Sequence, residues 1–202
     1  MFYNMIYGMF IDSFYFIGQY GPFIIASITI WILFMFNNNT FLYYYIIGFF
    51  INLFINVGLK IWIQQPRPNN MSIHPSIFDY YIKNWLIMKN GYPLESFGMP
   101  SGHAQSVFYS FFFLLFSSIF SQKQVSIEYP TILWIYMIVC IITMIQRVLW
   151  NFHTILQVFC GAFIGALIGF SIFWISKRKI RGVISKTKPD DDAFIIKGTH
   201  PL

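Results

Sequence analysis

The sequence predicts an all-α fold, a polytopic membrane helix bundle, and three observations predict it. Only 10% of the 202 residues are charged while 57% are hydrophobic, whereas a soluble domain carries about 25% charged residues. Several apolar runs approach or exceed the roughly 20 residues that a spanning helix needs. No stretch shows the sustained ten-residue alternation of a membrane barrel. A segment inside lipid must satisfy its own backbone hydrogen bonds, so these runs are expected to be helices.

Residues 1–20 are aromatic and interrupted by Asp12 and Gln19. This run is short, and Gly21-Pro22 punctuates its end. It is expected to be an interfacial helix or a short sixth span, separate from the five confident transmembrane helices. The first of these is expected at 22–36, followed by an Asn-rich turn. The second, at 41–63, carries Asn52, Asn56 and Lys60 at a spacing of four, on one helical face. Such residues face the bundle interior or a wet cavity, and the two asparagines are equally open to a purely helix-binding role. Pro66 and Pro68 end this helix. A long loop follows to Met99, with a helical apolar face through Ile77, Phe78, Tyr81, Ile82, Trp85 and Leu86 that predicts a short interfacial helix.

The third span is expected at 103–120, the fourth at 130–150 and the fifth at 153–175. In the fifth, Gly161, Gly165 and Gly169 repeat at four and form a smooth stripe for close helix contact. Cys140 and Cys160 lie inside apolar runs and are expected to be buried thiols. The N-terminus lacks the pattern of a cleavable signal peptide.

Charge placement sets the orientation. The net charge is +6, but seven of the 13 basic residues lie after residue 176. No nucleic acid is expected as a partner. Residues 177–202 read as a basic cytoplasmic tail facing anionic lipid, and 1–176 as the membrane-embedded domain. Alternating sides backward puts the 64–99 loop and the break near Trp150 on the extracytoplasmic face. Lys60, Arg67, Ser101, His103, Arg147 and His153 all fall at that face. Charges gathered at one face, away from the midplane, argue against a channel or transporter. The triplet Asn70-Met71-Ser72 is a glycosylation acceptor on the same side.

These residues define a chemistry. Ser101-Gly102 opens a helix, whose free N–H groups and dipole favour an anion such as phosphate. His103 beside it can exchange a proton near neutral pH. Arg67 and Arg147 can each fork two phosphate oxygens, and Lys60 adds a point charge. Arg147 and His153 are six apart, which on an unbroken helix points them about 240° apart. A break near Asn151 would turn both into one cavity. Gln157, four after His153, is expected to reach the imidazole and fix its tautomer.

Three segments, Lys60-Ile-Trp-Ile-Gln-Gln-Pro-Arg67-Pro68, Pro100-Ser101-Gly102-His103 and Arg147-Val-Leu-Trp-Asn-Phe-His153, resemble the three signature motifs of the type 2 phosphatidic acid phosphatase superfamily. The resemblance covers roughly residues 41–175, with motif order and spacing intact. It implies a metal-independent membrane phosphatase without a cofactor. It also implies that His153 attacks phosphorus and becomes phosphorylated, that His103 protonates the leaving oxygen, and that Lys60, Arg67, Arg147 and the Ser101–Gly102 backbone stabilise the phosphoryl oxygens. Two positions depart from the common pattern: Gln146 stands where many members have Ser, and Gln157 where many have Asp. The stretches around Gln64–Pro68, Gly98–Gln105 and His153–Val158 are similar to the dolichyl diphosphatase branch, which implies a polyisoprenyl diphosphate substrate.

The expected partners are therefore a lipid phosphate or diphosphate and the bilayer. The expected location is the endoplasmic reticulum membrane in a eukaryotic or eukaryotic-viral setting and the plasma membrane in a bacterium. Two alternatives stay open at this level. One is a phosphatidate or sugar-phosphate substrate; the other is an inactive, anion-binding membrane protein.

Overall fold

The computed structural model describes residues 2–35, 39–68, 96–120 and 130–186. Five helices fill these segments: α1 (Phe2–Met35), α2 (Asn39–Ile63), α3 (Gly102–Phe120), α4 (Pro130–Leu149) and α5 (Ile155–Lys186). Each contains a stretch long and apolar enough to cross a membrane. Among the described residues the one departure from helix and loop is a single antiparallel bridge, Pro66 to Phe97. The expected interfacial helix at 77–86, the Asn70-Met71-Ser72 triplet and residues 187–202 lie outside the described residues.

Two expectations change. The N-terminal run is not a separate interfacial or sixth helix, because α1 passes unbroken through Pro22. A proline crowds the carbonyl four residues before it. Here that residue is Gly18, and its turn is packed directly on Gln146 of α4. The fifth helix starts at Ile155, two residues later than expected, and runs through Lys186, so the boundary drawn at 176 falls inside a continuous helix.

The middle of the bundle is α3, whose core-facing residues include Val107, Tyr109, Phe113 and Leu114. Its aromatic rings interleave with those of α2 and α5. Tyr45 stacks on Tyr109 at 5.4 Å and Phe41 on Phe173 at 6.0 Å. The polar tips within this layer are bonded, as burial demands. Tyr45 Oη pairs with Ser110 Oγ at 2.7 Å, and Tyr109 Oη donates to the Tyr45 carbonyl at 2.7 Å. The outer faces carry large apolar side chains such as Trp31, Phe54, Trp62 and Phe163, all well exposed on the protein and suited to lipid.

The glycine stripe of α5 works as its spacing predicts. Gly161, Gly165 and Gly169 lie directly on the backbone of Ser101, Gln105 and Tyr109, residues spaced by four along the Ser101–α3 segment. A Cβ at 165 would collide with the Gln105 backbone, whereas one at Gly58 in α2 would meet nothing within 4 Å. Gly165→Ala is therefore expected to destabilise the fold by about 1–3 kcal/mol through overpacking. Gly58→Ala should be neutral or stabilising by up to about 1 kcal/mol from helix propensity. Thermal melting in detergent micelles distinguishes them. Equal melting temperatures would mean that the α3–α5 contact is looser than its geometry.

Candidate active site

Four chain ends meet at one end of the bundle: the close of α2, the start of α3, the close of α4 and the start of α5. After α2, Gln64 takes a left-handed conformation (φ 51°) that turns the chain out of the helix. Residues 65–67 then pair with 96–98. Gly98 N–H donates to the Gln65 carbonyl at 2.8 Å, and Arg67 N–H to the Ser96 carbonyl at 3.2 Å. Arg67 and Ser101 are thereby approached along one two-stranded clasp.

Ser101 caps α3. Its carbonyl accepts the Gln105 N–H at 3.0 Å, and its own N–H donates to the Gln157 carbonyl of α5 at 3.0 Å. A capping serine ordinarily turns its hydroxyl onto the first helical N–H groups. Ser101 Oγ instead is fully buried without a protein partner. The polar face of α2 holds this end in place. Asn56 Nδ2 donates to Gln105 Oε1 at 2.7 Å and to the Pro100 carbonyl at 3.3 Å. Gln105 Nε2 donates to the Asn52 carbonyl and Oδ1 at 2.8 and 3.0 Å. Asn52 and Asn56 thus bind the neighbouring helix and hold the approach to Ser101.

The break near Asn151 is present. Asn151 has φ 56°, a conformation asparagine tolerates better than most residues. The chain folds back so that the His153 N–H donates to the Arg147 carbonyl at 3.1 Å. Both side chains are buried, each 3% exposed. Arg147 lies over the Phe152 ring at 4.9 Å, and Arg67 Nη1 donates to the Phe152 carbonyl at 3.3 Å.

The predicted residues converge on His153. Burial pushes its pKa down to about 2, and Arg67, Lys60 and Arg147, in that order, add their positive charges. Its ring is therefore neutral, with a lone pair available. His103 also feels the charges of Arg147 and Lys60, and it lies close to His153. Three cations and two imidazoles thus occupy one region at the end of the bundle. Ser101 Oγ, Arg147 Nε and His153 Nδ1 are buried there without protein partners. Buried polar groups are ordinarily bonded, so this set suits an anion that accepts from several donors at once. Among the described residues no three His, Cys, Asp or Glu side chains gather as a metal-ligand set.

Gln157 reaches toward the His153 ring and is also tied to other segments. It lies close enough to His153 to favour the protonated ring slightly, the last of the influences on that ring. Its amide also bonds elsewhere, and His153 Nδ1 has no hydrogen-bond partner in the protein. Thr154 caps α5 and His153 precedes the cap, so helical i,i+4 geometry does not apply. Gln157 is the third residue of a capping box: its N–H donates to Thr154 Oγ1 at 3.2 Å, and its Oε1 accepts the Thr154 N–H at 3.1 Å. Its Nε2 donates to the Pro66 carbonyl at 2.9 Å and Gln65 Oε1 at 3.3 Å. One residue therefore ties together the segments bearing Arg67, Ser101 and His153. Sequence reasoning also passed over Gly98, where a Cβ would overlap the Gln157 amide, and Gln19, whose carbonyl and side chain both reach the site. A lone amide amid apolar residues beside Gly18 was the only signal for Gln19.

A bundle of helices long and apolar enough to span a membrane, with cations and histidines gathered at one end, places this chain among multi-pass membrane proteins and gives it a cluster of donors suited to an anion. The chain matches the PAP2 superfamily model over residues 41–181, well over half of its length, and belongs to that superfamily. Every predicted site residue lies inside the match, while α1 precedes it. The chain is also 28% identical over 130 residues to "Lipid phosphate phosphatase gamma" of Arabidopsis thaliana, covering 62% of this chain and 49% of that protein. It thus spans about half the length of the curated relative it matches. No solved structure matches it significantly.

Proposed function

We propose that this chain is an integral-membrane phosphatase that hydrolyses a polyisoprenyl, dolichyl-type diphosphate through a phosphohistidine. The observation that carries this is the convergence of Arg67, Lys60 and Arg147 on the buried His153 ring. The superfamily membership and the relative's lipid phosphate activity, as its name states it, favour a lipid phosphate. The likeness of the three motif stretches to the dolichyl diphosphatase branch favours the isoprenoid diphosphate over phosphatidate.

In this reaction a His153 ring nitrogen attacks the terminal phosphorus, and the bond from phosphorus to the bridging oxygen breaks. His103 gives its proton to that oxygen, and the lipid monophosphate leaves. Lys60, Arg67, Arg147 and the Gly102 N–H at the start of α3 stabilise the charge on the equatorial oxygens, the Ser101 N–H being taken by the Gln157 carbonyl. Water, giving its proton to His103, then attacks phosphorus and releases phosphate from His153. The site faces away from the cytoplasm in this reading. In support, His153 precedes the first turn of α5 while Lys177, Arg178, Lys179 and Arg181 lie near its other end. There Lys177 sits over the Phe120 ring at 5.0 Å and the Trp174 ring at 5.7 Å, an interfacial arrangement.

The test is turnover of purified protein on isoprenyl mono- and diphosphates, phosphatidate and glucose 6-phosphate. The isoprenyl diphosphate is expected to have the highest kcat/KM, with no loss in EDTA. A preference for phosphatidate or the sugar phosphate would transfer the substrate assignment to that class. Loss on chelation would reject the metal-free mechanism.

A further inference from the structure

We propose that α1, which precedes the family-matched residues, forms one wall of the site, and that Gln19 is a positioning residue acting through Arg147 and His103. This rests on the reading of those two groups as handlers of phosphate.

Three neighbouring turns of α1 meet the end of α4 and the turn beyond it. Phe14 and Tyr15 pack on Trp150, with ring centroids at 6.1 and 5.5 Å. Gly18 lies directly on the Gln146 side chain, and a Cβ at Gly21 would sit 2.5 Å from Thr143 Oγ1. The missing side chains let the helix axes approach, and Gln19 is carried against the residue after Gln146. Its Oε1 accepts from Arg147 Nη2 at 3.0 Å. Its backbone carbonyl lies 3.1 Å from His103 Nε2.

Both contacts have a chemical consequence. A carbonyl oxygen only accepts, so His103 must carry a proton on Nε2. Nδ1 is then the nitrogen left to exchange a proton with a ligand. The amide oxygen orients the Arg147 guanidinium without neutralising it, so its positive charge stays available to an anion. A carboxylate in the same place would form a charge-assisted pair and compete with phosphate for that charge.

The test uses the full chain in detergent micelles and inorganic orthovanadate as the probe, with binding read by titration calorimetry. Turnover on an isoprenyl diphosphate is measured in parallel. Gln19→Glu is nearly isosteric and is expected to weaken orthovanadate binding by about tenfold or more. It should raise KM by a similar factor, with a smaller fall in kcat. Gln19→Met removes the acceptor without adding charge and should weaken binding less. Gly18→Ala pushes the whole turn from α4 and should weaken binding at least as much as Gln19→Glu, although alanine is the better helix former.

The order Glu worse than Met is the electrostatic signature. If Met is the worse, loss of the acceptor outweighs the added charge, and the claim that a neutral amide at 19 keeps the Arg147 charge available to phosphate falls. Orthovanadate affinities within twofold of wild type for both variants also overturn it. Wild type that binds orthovanadate but hydrolyses no lipid phosphate overturns the proposed function, and Gln19 is still judged by affinity. Wild type that turns over with unaffected variants overturns Gln19 alone. Wild type with neither property overturns both.

Discussion

Replacing His153 with alanine is expected to abolish turnover, with kcat falling by about 10⁴-fold or more, as for removal of a covalent nucleophile. The residue sits outside any helix, between the left-handed Asn151 and the Thr154 cap, and its backbone is held by the Arg147 carbonyl. The side chain can therefore be removed without breaking a helix. Its ring is only 3% exposed, so the variant also leaves a cavity, and a melting curve must accompany the activity assay. Quenching into alkaline denaturant, with substrate labelled on its terminal phosphate, supplies the sharper readout. Wild type should retain alkali-stable, acid-labile phosphate on protein, and His153→Ala should retain none. Label that survives in the variant would place the covalent step on another residue.

The same geometry fixes the sign of a pH effect. Burial and then Arg67, Lys60 and Arg147 hold the His153 pKa near 2, so the protonated form is disfavoured and the ring stays neutral as the pH falls. Near pH 5 an ordinary histidine, with a pKa of about 6.5, is mostly charged. His153 should not be. Any loss of activity between pH 7 and 5 then belongs to the substrate or to another group. Carbon-13 histidine spectra should show one neutral ring assigned to His153 at pH 5; a charged ring there would mean that the site is wetter and less cationic than described.

What was legible in the sequence was what depends on neighbours along the chain. Four of the helices begin or end within a few residues of their expected bounds, because hydropathy and proline placement act locally. The glycine spacing at 161, 165 and 169 announced a close contact, and the six-residue interval from Arg147 to His153 demanded the break that Asn151 supplies. What escaped depends on residues that only the bundle brings together. Pro22 reads as a helix boundary, yet Gly18 and the packing against α4 keep α1 continuous. Gln19 could not be linked to Arg147 across 128 positions by any pattern of spacing. Gln157 was singled out for His153, whose ring it does influence, but the capping box and the Pro66 contact that also hold its side chain could not be read from spacing.

Gln157→Asp is expected to lower kcat by about 10²-fold, although it introduces the carboxylate that many superfamily members carry at this position. Sequence comparison alone predicts the opposite, that an aspartate would serve at least as well, since a carboxylate stabilises an imidazolium. Two effects compete. Aspartate could offer charge to His153, but it is one methylene shorter and has no N–H to donate. Both bonds from Gln157 Nε2, to the Pro66 carbonyl and to Gln65 Oε1, are lost, and an anionic oxygen is left facing a carbonyl. Each lost bond costs about 0.5–1.5 kcal/mol. The larger consequence is geometric, because the segment they hold carries Arg67, and a displacement of about 1 Å in a positioned cation can cost 10²-fold in rate. Gln157→Glu isolates the cause: it keeps the length and can accept from Thr154, but it cannot donate to Pro66. Both variants should therefore fall together. If Gln157→Asp is as fast as wild type while Gln157→Glu is slow, a carboxylate at the shorter reach is orienting His153 after all, and the clasp through Pro66 contributes little to the rate.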